Sequence, residues 1–113
     1  MKDCIFCKIA SGELPSTKYY EDEYCFAFAD LNPQAPFHAL IVPKQHADSL
    51  ADLGHLSDAA LAACLRAAEK IAASQNLQGG YRLISNCGEN ACQSVNHLHF
   101  HVLGGEKMPA KMV

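Results

Sequence analysis

The sequence predicts an α+β fold, with about five antiparallel strands, one long helix and one short helix. Three observations carry this. Several short runs alternate apolar and polar residues or are apolar throughout, as in "YCFAFAD", "FHALIVPK" and "HLHFHVL". One segment, Ser57 to Gln75, repeats apolar residues at helical spacing. No linker divides the 113 residues, so they read as one domain, 1–113.

In order along the chain, "CIFCKIASGELP" places Ile5, Phe6 and Ile9 at a spacing that suits a short helix ending near Gly12 and Pro15. "YYEDEYCFAFAD" reads as a hairpin turning around Glu21 to Glu23. Its second strand puts Tyr24, Phe26, Phe28 and Asp30 on one face, and Cys25, Ala27 and Ala29 on the other. The two prolines of "LNPQAP" make a loop. "FHALIVPK" is apolar enough to be a central strand and ends at Pro43. Ser57 is the N-cap of the long helix, whose stripe of Leu61, Leu65, Ala68 and Ala72 is widened by Cys64 and Ile71. "NLQGG" ends it, "YRLIS" is a fourth strand, "NCGENACQ" a polar loop and "SVNHLHFHVL" the fifth strand.

The formal net charge is −3 and no basic run exists, which argues against nucleic acid as a partner. The N-terminus lacks an apolar run of signal-peptide length and no stretch approaches a membrane span, so a cytoplasmic location is expected. In that reducing compartment the six cysteines are expected to be ligands or buried thiols, not a disulfide framework.

Cys4 and Cys7 form a C-x-x-C pair. Two thiolates at this spacing can bind one tetrahedral zinc, because a turn lets both sulfurs converge. A redox pair would need a preceding strand and a thioredoxin-like βαβ pattern, and this pair lies at the very start of the chain. Two more ligands are required. Cys87 and Cys92 can complete a four-cysteine site, although Asn86 to Ser94 reads as a ligand-binding loop. Alternatively His46, after a strand end, and His97 make a Cys2His2 site that would pin the N-terminal segment onto two strands. Such a site has no open position and would be structural. Packing without metal is the remaining reading of these four residues. His55, beside the helix start, reads as a surface histidine.

His97, His99 and His101 alternate with Leu98, Phe100 and Val102. On a strand such residues share one face, spaced by roughly 6.5–7 Å. The bland reading is a row of surface histidines. With His97 a ligand, His99 and His101 remain for chemistry. A neutral imidazole is a good nucleophile toward phosphorus, and attack would give a phosphohistidine-type intermediate that water hydrolyses. The second imidazole would hold a non-bridging oxygen or the leaving group, and His38 would hydrogen-bond near the nucleophile. Asn86, Gln93 and Ser94 offer neutral donors to a phosphate. For His38 and Ser94 an ordinary structural role competes with these.

The chain resembles the histidine-triad (HIT) superfamily. "HLHFHVL" matches the family's His-φ-His-φ-His-φ-φ signature, where φ is apolar. "CIFCKIASGELP", "FADLNPQAPFHALIVPKQH", "ISNCGENACQSV" and "HVLGG" resemble the HINT branch in the same order and spacing, over roughly residues 4 to 105. The resemblance implies an antiparallel sheet continued across a homodimer. It also implies hydrolysis at the α-phosphate of a purine nucleotide substrate, an adenosine phosphoramidate or aminoacyl-adenylate, releasing AMP. By resemblance His99 is the nucleophile, His101 contacts the phosphate and leaving group, His38 supports the nucleophile's orientation and Ser94 lies near the scissile bond. Asp30 matches the ribose-binding residue. Phe6, Ile9, Leu14, Phe28 and Leu31 match the apolar walls around the base, and Asn86 and the backbone near Gln93 match phosphate contacts. Zinc-binding bacterial-type members support Cys4, Cys7, His46 and His97 as ligands of a structural Zn2+.

One departure stands out. The position before Gln93 is often glycine in the family and is Cys92 here. A thiol there is tolerated at negative φ, or narrows the phosphate loop. Two rival functions are a dinucleoside-polyphosphate hydrolase and a zinc-stabilised nucleotide-binding or interaction module with vestigial catalysis. Intact His99, His101, His38 and Ser94 argue against the pure binder.

Overall fold

A computed structural model describes residues 3–111. The elements are α1 (Ile5–Ala10), β1 (Lys18–Glu21), β2 (Cys25–Ala29), β3 (Phe37–Pro43), α2 (Asp58–Ser74), β4 (Tyr81–Ile84), a 3-10 turn (Glu89–Ala91) and β5 (Phe100–Gly104). The strands form one antiparallel sheet in the order β1-β2-β3-β5-β4. The expected α+β class, five strands and two helices are all present. No helix among the described residues is long and apolar enough to cross a membrane.

Strand alternation divides the core. Cys25 and Ala27 of β2, Ala39 and Ile41 of β3 and Val102 of β5 face α2. The intervening Phe26, Phe28, Leu40 and Val42 face α1 through Phe6 and Ile9. Tyr24 departs from the expected alternation: it precedes β2 and packs toward the α2 side. It lies in the turn that Asp22 closes by accepting from the backbone N–H groups of Tyr24 and Cys25, so strand geometry does not govern it.

α2 begins as expected, with the Ser57 hydroxyl accepting from the Ala60 N–H at 3.0 Å. Its buried face is Ala60, Ala63, Cys64, Ala67, Ala68, Ile71 and Ala72. Leu65, placed in the apolar stripe from the sequence, is 56% exposed. The reason is steric: the helix turns its alanines inward and sits close to the sheet, where a row of leucines would hold it off. Asn76, in the left-handed region at φ 59, ends the helix, and the Leu77 N–H returns to the Ala72 carbonyl.

β5 starts six residues later than "SVNHLHFHVL" suggests, at Phe100 instead of Ser94. Its register with β3 pairs Ile41 with Phe100. Continued, it would set Leu98 opposite Pro43, which has no N–H to extend the ladder. The Leu98 N–H instead reaches the Ala47 carbonyl. At the other end Gly105 has φ 100, and a Cβ there would sit 2.9 Å from Pro36 Cβ. Glycine is therefore required to let β5 leave the sheet against the loop that precedes β3.

Candidate functional site

Two clusters meet at the α1 face of the sheet. The first joins residues 93 apart in sequence. Cys4 caps α1, its sulfur accepting from the Cys7 N–H. Cys4 Sγ lies 3.2 Å from His97 Nδ1, and Cys7 Sγ lies 3.4 Å from His46 Nδ1 and 3.5 Å from His97 Nδ1. The other ring nitrogens set the tautomers. His97 Nε2–H donates to the Pro43 carbonyl at 2.8 Å, and His46 Nε2–H to Asp48 at 2.7 Å. Both rings therefore turn an Nδ1 lone pair toward the two sulfurs, and outer hydrogen bonds of this kind orient metal-bound histidines.

Burial holds His97 neutral, pushing its pKa down to about 4. Burial, then the neighbouring Cys4 thiol, pushes the Cys7 thiol up to about 11. A bound cation supplies the missing counter-charge that lets such thiols ionise. The four donor atoms all lie within 4.8 Å of one another, so this cluster could hold a metal. Two sulfurs and two nitrogens suit a closed tetrahedral centre. Cys87 and Cys92 are not part of it: Cys87 donates to Ser49 and Cys92 is exposed. His55 is exposed, as expected, with its ring N–H on the His46 carbonyl.

The second cluster is built on β3 and β5. His99 is buried, and its Nδ1–H donates to the His97 carbonyl at 2.7 Å. A neutral ring with its proton on Nδ1 carries its lone pair on Nε2. His38 Nε2 lies 2.8 Å from His101 Nδ1, and the backbone N–H of Gln34 donates to His38 Nδ1 at 3.0 Å. Burial lowers the pKa of His38 against the opposing pull of Asp30. Burial, then His99 and His38, pushes that of His101 down to about 4. Both rings are thus neutral at neutral pH. The Gln34 N–H can only donate, so His38 Nδ1 is an acceptor and its proton lies on Nε2. That proton points to His101 Nδ1, which leaves the His101 proton on Nε2. Adjacent rings therefore carry opposite functions: a lone pair on His99 Nε2 and an N–H on His101 Nε2.

Asp30 Oδ2 is 3.4 Å from His38 Nε2. Asp30, His38 and His101 thus also bring three ligand-type atoms together. Their geometry is that of a hydrogen-bond chain. The His38 and His101 ring centroids are 5.1 Å apart, as a head-on N···N contact of 2.8 Å requires, so no room is left for an ion between the nitrogens.

A cavity of about 230 Å³ opens against these rings. Phe6, Ile9, Phe28 and Leu31 line it, with Ser16, Asp30, Ser94, His99 and His101 as its polar members. Phe6 meets Phe28 and His99 edge-on at centroid distances of 5.5 and 5.1 Å. Leu14 is outside the lining and packs against the cluster that contains Phe6. His38 stands behind His101. Asn86 is half-buried beyond the end of β4 and does not line the cavity. The Gln93 side chain is engaged away from the cavity: it accepts from the Gly88 N–H, and donates to the Val95 carbonyl in its own loop and to the Asp48 carbonyl in the loop after β3.

Sequence reasoning missed Ile5, Pro15, Ser16, Ala29, Leu40 and Val95 in the lining, and Ser85, whose hydroxyl donates to the His99 carbonyl at 2.7 Å. Leu40 shares its strand face with His38, which was a usable signal. Gln34 acts through its backbone and left none.

Cys92 has φ 60 and ψ 40, not the negative φ that would suit a thiol-bearing residue. The loop needs a left-handed residue there because the Cys92 and Gln93 N–H groups both turn back, to Glu89 and Gly88. Cys92→Gly is expected to raise stability by up to about 1 kcal/mol, the left-handed penalty less glycine's entropic cost. A thermal melt should move up by about 4 °C, and a fall in Tm would contradict the strain.

Taken together, fold and site define an α+β protein with a histidine-lined cavity and a separate cysteine–histidine cluster. Residues 11–108 match the model of the HIT domain. The chain is 46% identical to a "14 kDa zinc-binding protein" of Zea mays, over 92% of this chain and 83% of that one. Among solved structures, a histidine triad protein from Clostridium difficile is 50% identical, with a TM-score of 0.92 over 96% of each chain. A HIT family hydrolase from Clostridium thermocellum is 46% identical, with a TM-score of 0.94 over 100% of this chain and 99% of that one. The protein belongs to the histidine-triad family, as the resemblance of its motifs implied.

Proposed function

We propose that this protein is a HINT-like nucleoside phosphoramidase that attacks the α-phosphate of adenosine phosphoramidates or aminoacyl-adenylates through a nucleotidyl-histidine intermediate. The observation that carries this is the His99 ring, with Nδ1–H held by the His97 carbonyl and Nε2 available beside an apolar cavity. His99 Nε2 gives its electron pair to phosphorus. In a phosphoramidate the P–N bond breaks with its pair on the amine nitrogen, which takes a proton from solvent; in an aminoacyl-adenylate the P–O bond breaks instead, and the amino acid leaves as its carboxylate. Water then displaces His99, returns one proton and releases AMP. The His101 Nε2–H stabilises charge on the phosphoryl oxygens, Ser94 lies near the bond that breaks, and Asp30 accepts from the ribose hydroxyls. Phe6, Ile9, Phe28 and Leu31 hold the purine.

Cys4, Cys7, His46 and His97 are proposed to hold a structural Zn2+. The metal's contribution is to hold α1, and with it Phe6 and Ile9, against the cavity. β4 is a sheet edge with unpaired backbone groups, and it suits pairing with the same edge of a second copy in a homodimer.

One feature favours phosphoramidates over dinucleoside polyphosphates. No Lys or Arg among the described residues lines the cavity, and Asp30 adds a negative charge. A substrate with one phosphate charge fits this better than a polyphosphate chain. Adenosine 5′-phosphoramidate should be cleaved with kcat/KM at least about tenfold above that of diadenosine polyphosphates, a difference of about 1.4 kcal/mol in transition-state binding. The reverse order, measured by AMP release, would transfer the assignment to the polyphosphate hydrolases.

A further inference from the structure

Resting on the phosphoramidase reading, with Asp30 as the ribose acceptor, we propose that Ser16 is a second ribose-binding residue. Its hydroxyl donates to a ribose hydroxyl and gives the site a preference for ribonucleotides over deoxyribonucleotides.

Ser16 lies two residues before β1, and backbone register sets it opposite Asp30. Lys18 pairs with Phe28, and the Ala29 N–H donates to the Thr17 carbonyl at 2.9 Å. The next antiparallel partners in that register are Ser16 and Asp30. The Asp30 N–H turns the other way, to the His38 carbonyl of β3 at 3.0 Å. Ser16 and Asp30 are therefore a pair of the non-hydrogen-bonded kind, in which Cα atoms approach to roughly 4.5 Å and side chains are closest. The register irregularity of β1 falls between Lys18 and Tyr20, away from this pair. Pro15 has no N–H to carry the ladder further, so Ser16 is the last residue held against β2.

Parity then fixes the face. Tyr19 packs on the α2 side of the sheet. Phe28, the partner of Lys18, packs on the α1 side. Ser16 has the parity of Lys18, so its side chain belongs to the α1 side, with Phe28 and Asp30. Ser16 is exposed and lines the same cavity as those two residues.

The chemistry of the pair is complementary. A carboxylate only accepts, and Asp30 already accepts from the Asn32 N–H at 2.8 Å. A ribose hydroxyl both donates and accepts, so one bound to Asp30 alone gains no donor from the site. The other polar side chains of the lining, Ser94, His99 and His101, are committed to the phosphate in the phosphoramidase reading. No Lys or Arg among the described residues joins them. Ser16 supplies the missing donor beside Asp30, and a deoxynucleotide leaves that donor without its acceptor.

The test uses the metal-loaded full chain and titration calorimetry with AMP, 2′-deoxy-AMP and 3′-deoxy-AMP. Wild type is expected to bind AMP more tightly than either deoxy form. Ser16→Ala should weaken AMP by about fivefold, the loss of one neutral hydrogen bond. One deoxy form should stay within about twofold of its wild-type affinity, because it lacks the hydroxyl that Ser16 contacts. KM for adenosine 5′-phosphoramidate should rise by the same factor as the AMP dissociation constant. Losses that agree within about twofold for all three nucleotides, including no loss for any, would overturn the proposal. The calorimetry does not depend on turnover. AMP bound by a wild type that leaves the phosphoramidate intact sinks the phosphoramidase reading, and the three affinities still decide the role of Ser16. A wild type that binds no AMP overturns both.

Discussion

His99→Ala is expected to lower phosphoramidate turnover by a factor of at least about 10³ while the protein remains folded. The argument is one of atoms. His99 Nε2 is the ring nitrogen with a free lone pair beside the cavity, because Nδ1–H is bound by the His97 carbonyl. His101 cannot replace it. Its Nδ1 is occupied by His38, and its Nε2 carries the proton. Direct attack by water would have to proceed on the remaining donors alone. His99 is buried against Phe6, so its truncation also leaves a small cavity and a modest loss of stability. A thermal melt separates that loss from the chemical one. Rapid acid quench followed by mass spectrometry supplies an independent readout, with an adenylyl adduct on wild type and none on the variant. Turnover of the variant within tenfold of wild type would remove His99 from the nucleophile's role.

The second large effect lies in the cysteine–histidine cluster. Cys4→Ser should reduce bound zinc from about one per chain toward zero, because one of four ligands in a closed tetrahedral set is lost. It should lower Tm by roughly 10–20 °C, corresponding to about 3–5 kcal/mol of metal-linked folding energy. The domain keeps its α2-side core, centred on Ile41, Ile71 and Val102, so partial folding without metal is expected. The damage should concentrate on α1. This six-residue helix has Cys4 as its cap and Cys7 within it, and it carries Phe6 and Ile9 to the cavity. A rise in KM for the nucleotide should therefore accompany metal loss. Undiminished zinc in Cys4→Ser, measured by elemental analysis of the purified protein, would refute this ligand set.

The HIT membership and the Clostridium thermocellum hydrolase point to hydrolase chemistry on this scaffold. How much of it was legible beforehand follows from where each signal is stored. The strand alternation of Phe26 and Phe28 against Cys25 and Ala27 was readable, because a side chain's face depends on its parity along the strand. The same rule misplaced Tyr24, just outside the strand. Helical period found α2 and its cap but misjudged Leu65, since the chain's own pattern does not say which side of a wide stripe meets the sheet. The histidine alternation suggested one continuous strand. His97, His99 and His101 do lie on one side, yet only His101 is within β5.

The sequence by itself determined the α+β class, the five strands and two helices, the family and the shortlist of cysteines and histidines. Periodicity, capping and motif spacing are local, and they survive without coordinates. Only the tertiary structure decided which ring nitrogen faces what. The Cys4–His97 and His38–His101 contacts span 93 and 63 residues. The tautomers are set by the carbonyls of Pro43 and His97 and the N–H of Gln34. Main-chain groups of this kind are the same in every non-proline residue, apart from proline's missing N–H. No residue letter encodes their direction, so three similar histidines acquire different roles only when the chain is folded around them.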